Sequence, residues 1–89
     1  MTYKVDFKKS AYKSFSSLSK QDKKRISNAI DSLKSDPFPE GKVVQLQKDI
    51  YRIRVDDYRI IYNVINDKLI IYVLAIGDRK NIYKIIKRL

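Results

Sequence analysis

Three arginines, Arg52, Arg54 and Arg59, stand in two runs of β-branched and tyrosine residues separated by Asp56-Asp57. In a strand, side chains two apart share a face. Arg52 and Arg54 therefore point one way, and Tyr51, Ile53 and Val55 the other. If Asp56-Asp57 forms a two-residue hairpin loop, Val55 pairs with Tyr58 and Arg54 sits opposite Arg59. Like charges directly opposite destabilise a sheet. A guanidinium, however, is a planar fork suited to gripping phosphate oxygens. Converging arginines thus point to an anion on that face. The competing reading is a solvated sheet face with Asp49, Asp56 or Asp57 as partners. A three-residue loop would separate Arg54 from Arg59.

Further along, Gly77-Asp78-Arg79-Lys80 lies where the last long strand hands over to a terminal helix. Arg79 and Tyr83 are four apart, and lie side by side if that helix starts early. Tyr83 is off the apolar stripe and is expected to be partly exposed, where it can stack on a nucleobase. A helix tyrosine leaning on the sheet edge is the blander reading. Tyr51, Tyr58, Tyr62 and Tyr72 read as sheet core and cross-strand packing.

The composition narrows the chemistry. The 89 residues contain no Cys and no His, which removes disulfides, thiolate zinc sites, catalytic triads and histidine-based RNA cleavage. Only Gly41 and Gly77 occur, so no glycine-rich phosphate loop can be written. Lys and Arg number 20 against 10 Asp and Glu, a net charge of +10 that favours a polyanionic partner. Lys8, Lys9, Lys13, Lys20, Lys23 and Lys24 read as solvated. The longest apolar run, residues 69–76, is far too short to span a bilayer, and residues 1–6 hold no apolar signal region. A cytoplasmic chain with no membrane association is expected.

The elements that must hold these residues follow from periodicity. Tyr3, Val5 and Phe7 alternate with polar residues, as in a strand. Ala11, Tyr12, Phe15 and Leu18 fit one helix face. Ser19 offers an N-cap with Asp22 three residues on, and Ile26, Ala29, Ile30 and Leu33 form a second helical stripe that Pro37 ends. Residues 42–47, 50–55, 58–65 and 69–76 read as an antiparallel meander with turns at Asp56-Asp57 and Asn66-Asp67. Ile82, Ile85, Ile86 and Leu89 mark a short C-terminal helix. The predicted architecture is α+β: an N-terminal strand and helical hairpin on a mostly antiparallel four- or five-stranded sheet, in a single domain over 1–89.

The run Tyr51-Arg-Ile-Arg-Val-Asp-Asp-Tyr-Arg-Ile-Ile-Tyr-Asn-Val, followed by Leu74-Ala-Ile-Gly-Asp-Arg-Lys-Asn-Ile-Tyr83, resembles the RelE branch of the RelE/ParE toxin superfamily. The resemblance spans essentially the whole chain. It implies a type II toxin: a ribosome-dependent mRNA endonuclease that cuts codons in the A site and uses no metal or cofactor. It implies a cognate antitoxin as partner, the ribosome and mRNA as targets, and operator DNA contacted only through the antitoxin. By position it makes Arg52, Arg54, Arg59, Arg79 and Tyr83 the catalytic set. Well-known members carry lysines at the positions of Arg52 and Arg54. A lysine can act as general base, whereas arginine keeps its proton. Either Arg54 only polarises the hydroxyl, or another group such as Tyr83, Asp78 or water takes the proton.

Two rival readings accompany this one. A ParE-like gyrase inhibitor shares the fold but generally lacks the C-terminal Arg and Tyr. A non-catalytic basic nucleic-acid-binding domain accounts for the charge, but not for arginines gathered at one end of a sheet.

Overall fold

The computed structural model describes residues 2–87. Leu89, expected on the last helical stripe, lies outside them. In chain order the elements are β1 (Lys4–Phe7), α1 (Lys9–Ser16), α2 (Lys20–Ser35), β2 (Val43–Gln47), β3 (Ile50–Val55), β4 (Tyr58–Ile65), β5 (Ile70–Asp78) and α3 (Ile82–Ile86). The five strands form one sheet in the order β1-β5-β4-β3-β2. β1 runs parallel to β5, and the other pairs are antiparallel. This is the expected α+β architecture, with the sheet at five strands.

The helical hairpin forms where the sequence punctuates it. Ser19 Oγ accepts the Asp22 backbone N–H at 3.2 Å, which caps one of the free donors at the start of α2. Asp36-Pro37 stops the helix, because proline has no N–H to continue it. The stripe of Ile26, Ile30 and Leu33 is buried against Ile53, Ile60, Tyr62, Val64, Ile71 and Val73 of the sheet. Burying each such side chain stabilises by about 1.5–3 kcal/mol. Tyr62, fully buried, donates its hydroxyl to the Pro37 carbonyl oxygen at 2.7 Å, which fixes the α2–β2 connection.

A second, smaller apolar cluster lies on the opposite face. Ile82 of α3 is completely buried against Ile61 and Ala75, with Ile50, Leu74, Ile85 and Ile86 around it. Gly77 permits this seating. A Cβ there would stand 3.3 Å from Ile82 Cδ1 and 3.5 Å from its Cα, so a side chain larger than alanine's would press on the helix. α1 and α2 therefore cover one face of the sheet, and α3 covers part of the other.

Two strand boundaries differ from expectation. β2 starts at Val43, and β5 is shifted to Ile70–Asp78. Leu69 is drawn into the preceding turn with φ 54°. At the far end Gly77 and Asp78 still have partners, Arg59 and Tyr58, so the ladder continues past Ile76. Among the described residues no helix is long and apolar enough to cross a membrane.

Candidate functional site

The β3–β4 hairpin closes over Asp56 and Asp57 alone, with Val55 paired to Tyr58 and Arg54 paired to Arg59. Asp56 takes a left-handed φ of 54°, a conformation that aspartate tolerates better than most residues. The turn is held from the helix side by two contacts. Arg25 Nη1 meets Asp56 Oδ2 at 3.0 Å, and the Tyr58 hydroxyl donates to Asp22 Oδ2 at 3.0 Å. The hydrogen bond to the Asp22 carboxylate is the main reason the Tyr58 phenol is pushed above its ordinary range.

The register sets the faces. Arg52 pairs with Ile61, and Arg59 pairs with Gly77 as well as with Arg54. Ile61 lies under α3, so Arg52, Arg54 and Arg59 all point to the face away from the helical hairpin. Arg54 is exposed and Arg52 half-buried, while Arg59 is only 8% exposed. The Arg59 guanidinium donates from Nη1 to the Tyr58 carbonyl oxygen at a long 3.3 Å. Arg52 Nε is buried without a hydrogen-bond partner. The ion pairs among the described residues are Arg25–Asp56 and Lys34–Asp31, so no carboxylate there neutralises Arg52, Arg54 or Arg59. Of the aspartates that could have served as partners, Asp56 pairs with Arg25, and neither Asp49 nor Asp57 forms an ion pair with the three arginines. A buried charge without a counter-charge is costly. An arriving phosphate would supply both the missing charge and the missing acceptors.

Arg79 follows directly on β5. Its backbone N–H donates to the Asp57 carbonyl oxygen at 3.0 Å, one step beyond the Tyr58–Asp78 pair. Arg79 lies in the turn beyond the end of β5, at the Asp56-Asp57 end of the sheet. Its side chain is exposed, and it lines an open depression with Asp57, Asp78 and Lys80. Tyr83 is 53% exposed on α3, next in sequence to the buried Ile82. α3 begins at Ile82, not early enough to include Arg79, so the two are not neighbours on a helix face. The reason is Asp78, whose carboxylate accepts the backbone N–H groups of Lys80 and Asn81 and shapes residues 79–81 as a turn. With both its oxygens serving that turn, Asp78 is not aimed at the arginine face.

Three contributors escaped the sequence. Arg25 is one of many basic residues on an exposed helix, and nothing local marks it as the partner of Asp56. Gly77 has a sequence signal, a lone glycine ahead of the Ile82 stripe, but its close approach to α3 needs the tertiary fold. The burial of Arg59 arises in the same way.

The sheet face thus gathers guanidiniums with no carboxylate partner among the described residues, beside a turn that carries a further arginine. The family model described as "ParE toxin of type II toxin-antitoxin system, parDE" matches residues 2–83. The mRNA interferase toxin RelE of Escherichia coli (strain K12) is 26% identical over 82 residues, covering 90% of this chain and 86% of that protein. The structure of the archaeal RelE–RelB complex from Pyrococcus horikoshii OT3 matches at 32% identity and a TM-score of 0.76, over 90% of this chain and 98% of the other. The isolated E. coli RelE toxin matches at 25% identity and a TM-score of 0.78, over 97% of each chain. The chain belongs to the RelE/ParE superfamily of toxins from type II toxin-antitoxin systems, and is of the RelE type.

Proposed function

We propose that residues 1–89 form one toxin domain that cleaves mRNA in the ribosomal A site, and that a cognate antitoxin holds it inactive. The observation that carries this reading is Arg59: a nearly buried guanidinium, directly opposite Arg54, with no carboxylate partner among the described residues. In the reaction, the ribose 2′-oxygen bonds to the adjacent phosphorus and the bond from phosphorus to the 5′-oxygen breaks. The products are a cyclic phosphate and a 5′-hydroxyl. Arg52, Arg54 and Arg59 stabilise the negative charge gathering on the phosphoryl oxygens, a role worth roughly 3 kcal/mol per well-placed donor. Arg79 stabilises the charge on the departing oxygen, which takes its proton from water, and Tyr83 holds a base or sugar by stacking. The 2′-hydroxyl proton passes to water, since arginine cannot accept it and both oxygens of Asp78 serve its own turn. The ribosome contributes by holding the strand in an attack geometry. Support comes from the activity in the name of the E. coli relative and from the RelB–RelE antitoxin–toxin complex of a Methanococcus jannaschii relative.

The test is brief induction, followed by mapping of 5′-hydroxyl ends on translated and untranslated transcripts. Cleavage confined to translated codons is expected. A second reading, inhibition of DNA gyrase, is favoured by the match to the ParE family model. Growth arrest with intact transcripts and blocked supercoiling would establish it in place of the first.

A further inference from the structure

Arg79, Lys80 and Asn81 form the whole link between β5 and α3, and all three are exposed. Such a link has little packing of its own, yet four hydrogen bonds pin it. Arg79 N–H donates to the Asp57 carbonyl at 3.0 Å. The other three converge on one side chain. Asp78 Oδ1 accepts the backbone N–H groups of Lys80 at 3.1 Å and Asn81 at 2.8 Å, and Asp78 Oδ2 accepts Asn81 Nδ2 at 3.3 Å.

We infer that Asp78 is a positioning residue: its carboxylate holds the turn that carries Arg79 and fixes how α3, with Tyr83, leaves the sheet. What Arg79 and Tyr83 then do rests on the RNA-cleaving reading; the holding of the turn does not. Two anchors divide the work at this corner. Ile82, wholly buried on Ile61 and Ala75, seats the helix. Asp78 shapes the chain before it. Removing the carboxylate leaves the apolar seat in place, so the fold is kept while residues 79–81, and the direction of α3 about Ile82, lose their constraint. Displacement of a charge-stabilising group by about 1 Å can cost on the order of a hundredfold in rate. An asparagine retains a carbonyl oxygen for the two backbone N–H groups, whereas alanine retains nothing.

The experiment compares the wild type with D78A and D78N in two measurements. The first needs no RNA: backbone order at residues 79–81 from ¹⁵N relaxation of the free protein. Order parameters near about 0.85 are expected for the wild type and D78N, falling below about 0.6 in D78A. The second is single-turnover cleavage of mRNA on programmed ribosomes. D78A is expected to be roughly 10- to 100-fold slower at unchanged ribosome affinity, with D78N within about threefold of wild type. An ordered, fully active D78A overturns the inference. So does a D78N that is as slow as D78A, because the charge itself would then be what matters. If the wild type cleaves nothing, the RNA-cleaving reading fails, and the relaxation data alone decide the role of Asp78. If D78A does not fold, D78N decides: an ordered turn and near-normal cleavage sustain the inference, and their loss overturns it.

Discussion

Arg54 and Arg59 are direct cross-strand partners beside the Asp56-Asp57 turn, and no carboxylate among the described residues pairs with either. Their proximity opposes folding, and the 8% exposure of Arg59 adds to it, since water screens that charge poorly. Sites built for a charged ligand commonly carry such a cost in the empty protein.

Replacing Arg59 by methionine keeps an unbranched chain of similar length and removes the charge. Stability in urea is expected to rise by about 1 kcal/mol. RNA cleavage is expected to disappear. The same change at exposed Arg54 should stabilise less. A drop in the urea midpoint of Arg59→Met would show that Arg59 has a favourable partner after all.

Arg79 contributes to the fold through its backbone N–H to Asp57, which any residue but proline supplies. Arg79→Ala is therefore expected to melt at the wild-type temperature while losing growth arrest. In single-turnover assays cleavage should fall on the order of a hundredfold. Full toxicity in this variant would remove Arg79 from the reaction.

Gly77 lies close under Ile82, with room for a small adjustment and no more. Gly77→Ala is expected to be tolerated, because the nearest atom, Ile82 Cδ1, is the end of a flexible side chain. Gly77→Val, which adds two further carbons, should lift α3 off Ile61 and Ala75 and cost about 1–3 kcal/mol. Amide exchange resolves this directly: protection should be lost in α3 but not in α2.

Tyr58 and Tyr62 both hold their protons more tightly in the fold than free tyrosine does, Tyr58 through Asp22 and Tyr62 through burial. In the unfolded chain they ionise near pH 10. The unfolded state therefore loses protons first as pH rises, and stability declines above about pH 10 while staying level below it. Tyr62→Phe should flatten that alkaline decline. At neutral pH it should cost about 1 kcal/mol, because the Pro37 carbonyl loses its donor. Urea unfolding of both proteins between about pH 8 and pH 11 separates the two effects.

The local parts of this design could be read directly from residues. The Ser19–Asp22 cap forms as its spacing implies, and the two-residue turn puts Arg54 opposite Arg59 because alternation on both sides fixes the register. The meander, the α2 stripe and the exposure of Tyr83 follow in the same way. What could not be read depends on contacts distant in sequence. The expectation that Arg79 and Tyr83 share a helix face fails because the Asp78 side chain makes a turn where propensity allows a helix. The near-burial of Arg59 and the pairing of Arg25 with Asp56 require the tertiary packing of the sheet and its helices.

β5 lies between β1 and β4, and Lys4 is in register with Ile70. An interior strand of the sheet, the partner of β1, is thus the last of the five to be synthesised. Until it emerges, β1 has no neighbour, the β3–β4 hairpin is open along one side, and the loop bearing Arg79 does not exist. A nascent chain therefore cannot bring Arg79 against the Asp56-Asp57 turn until β5 has been made.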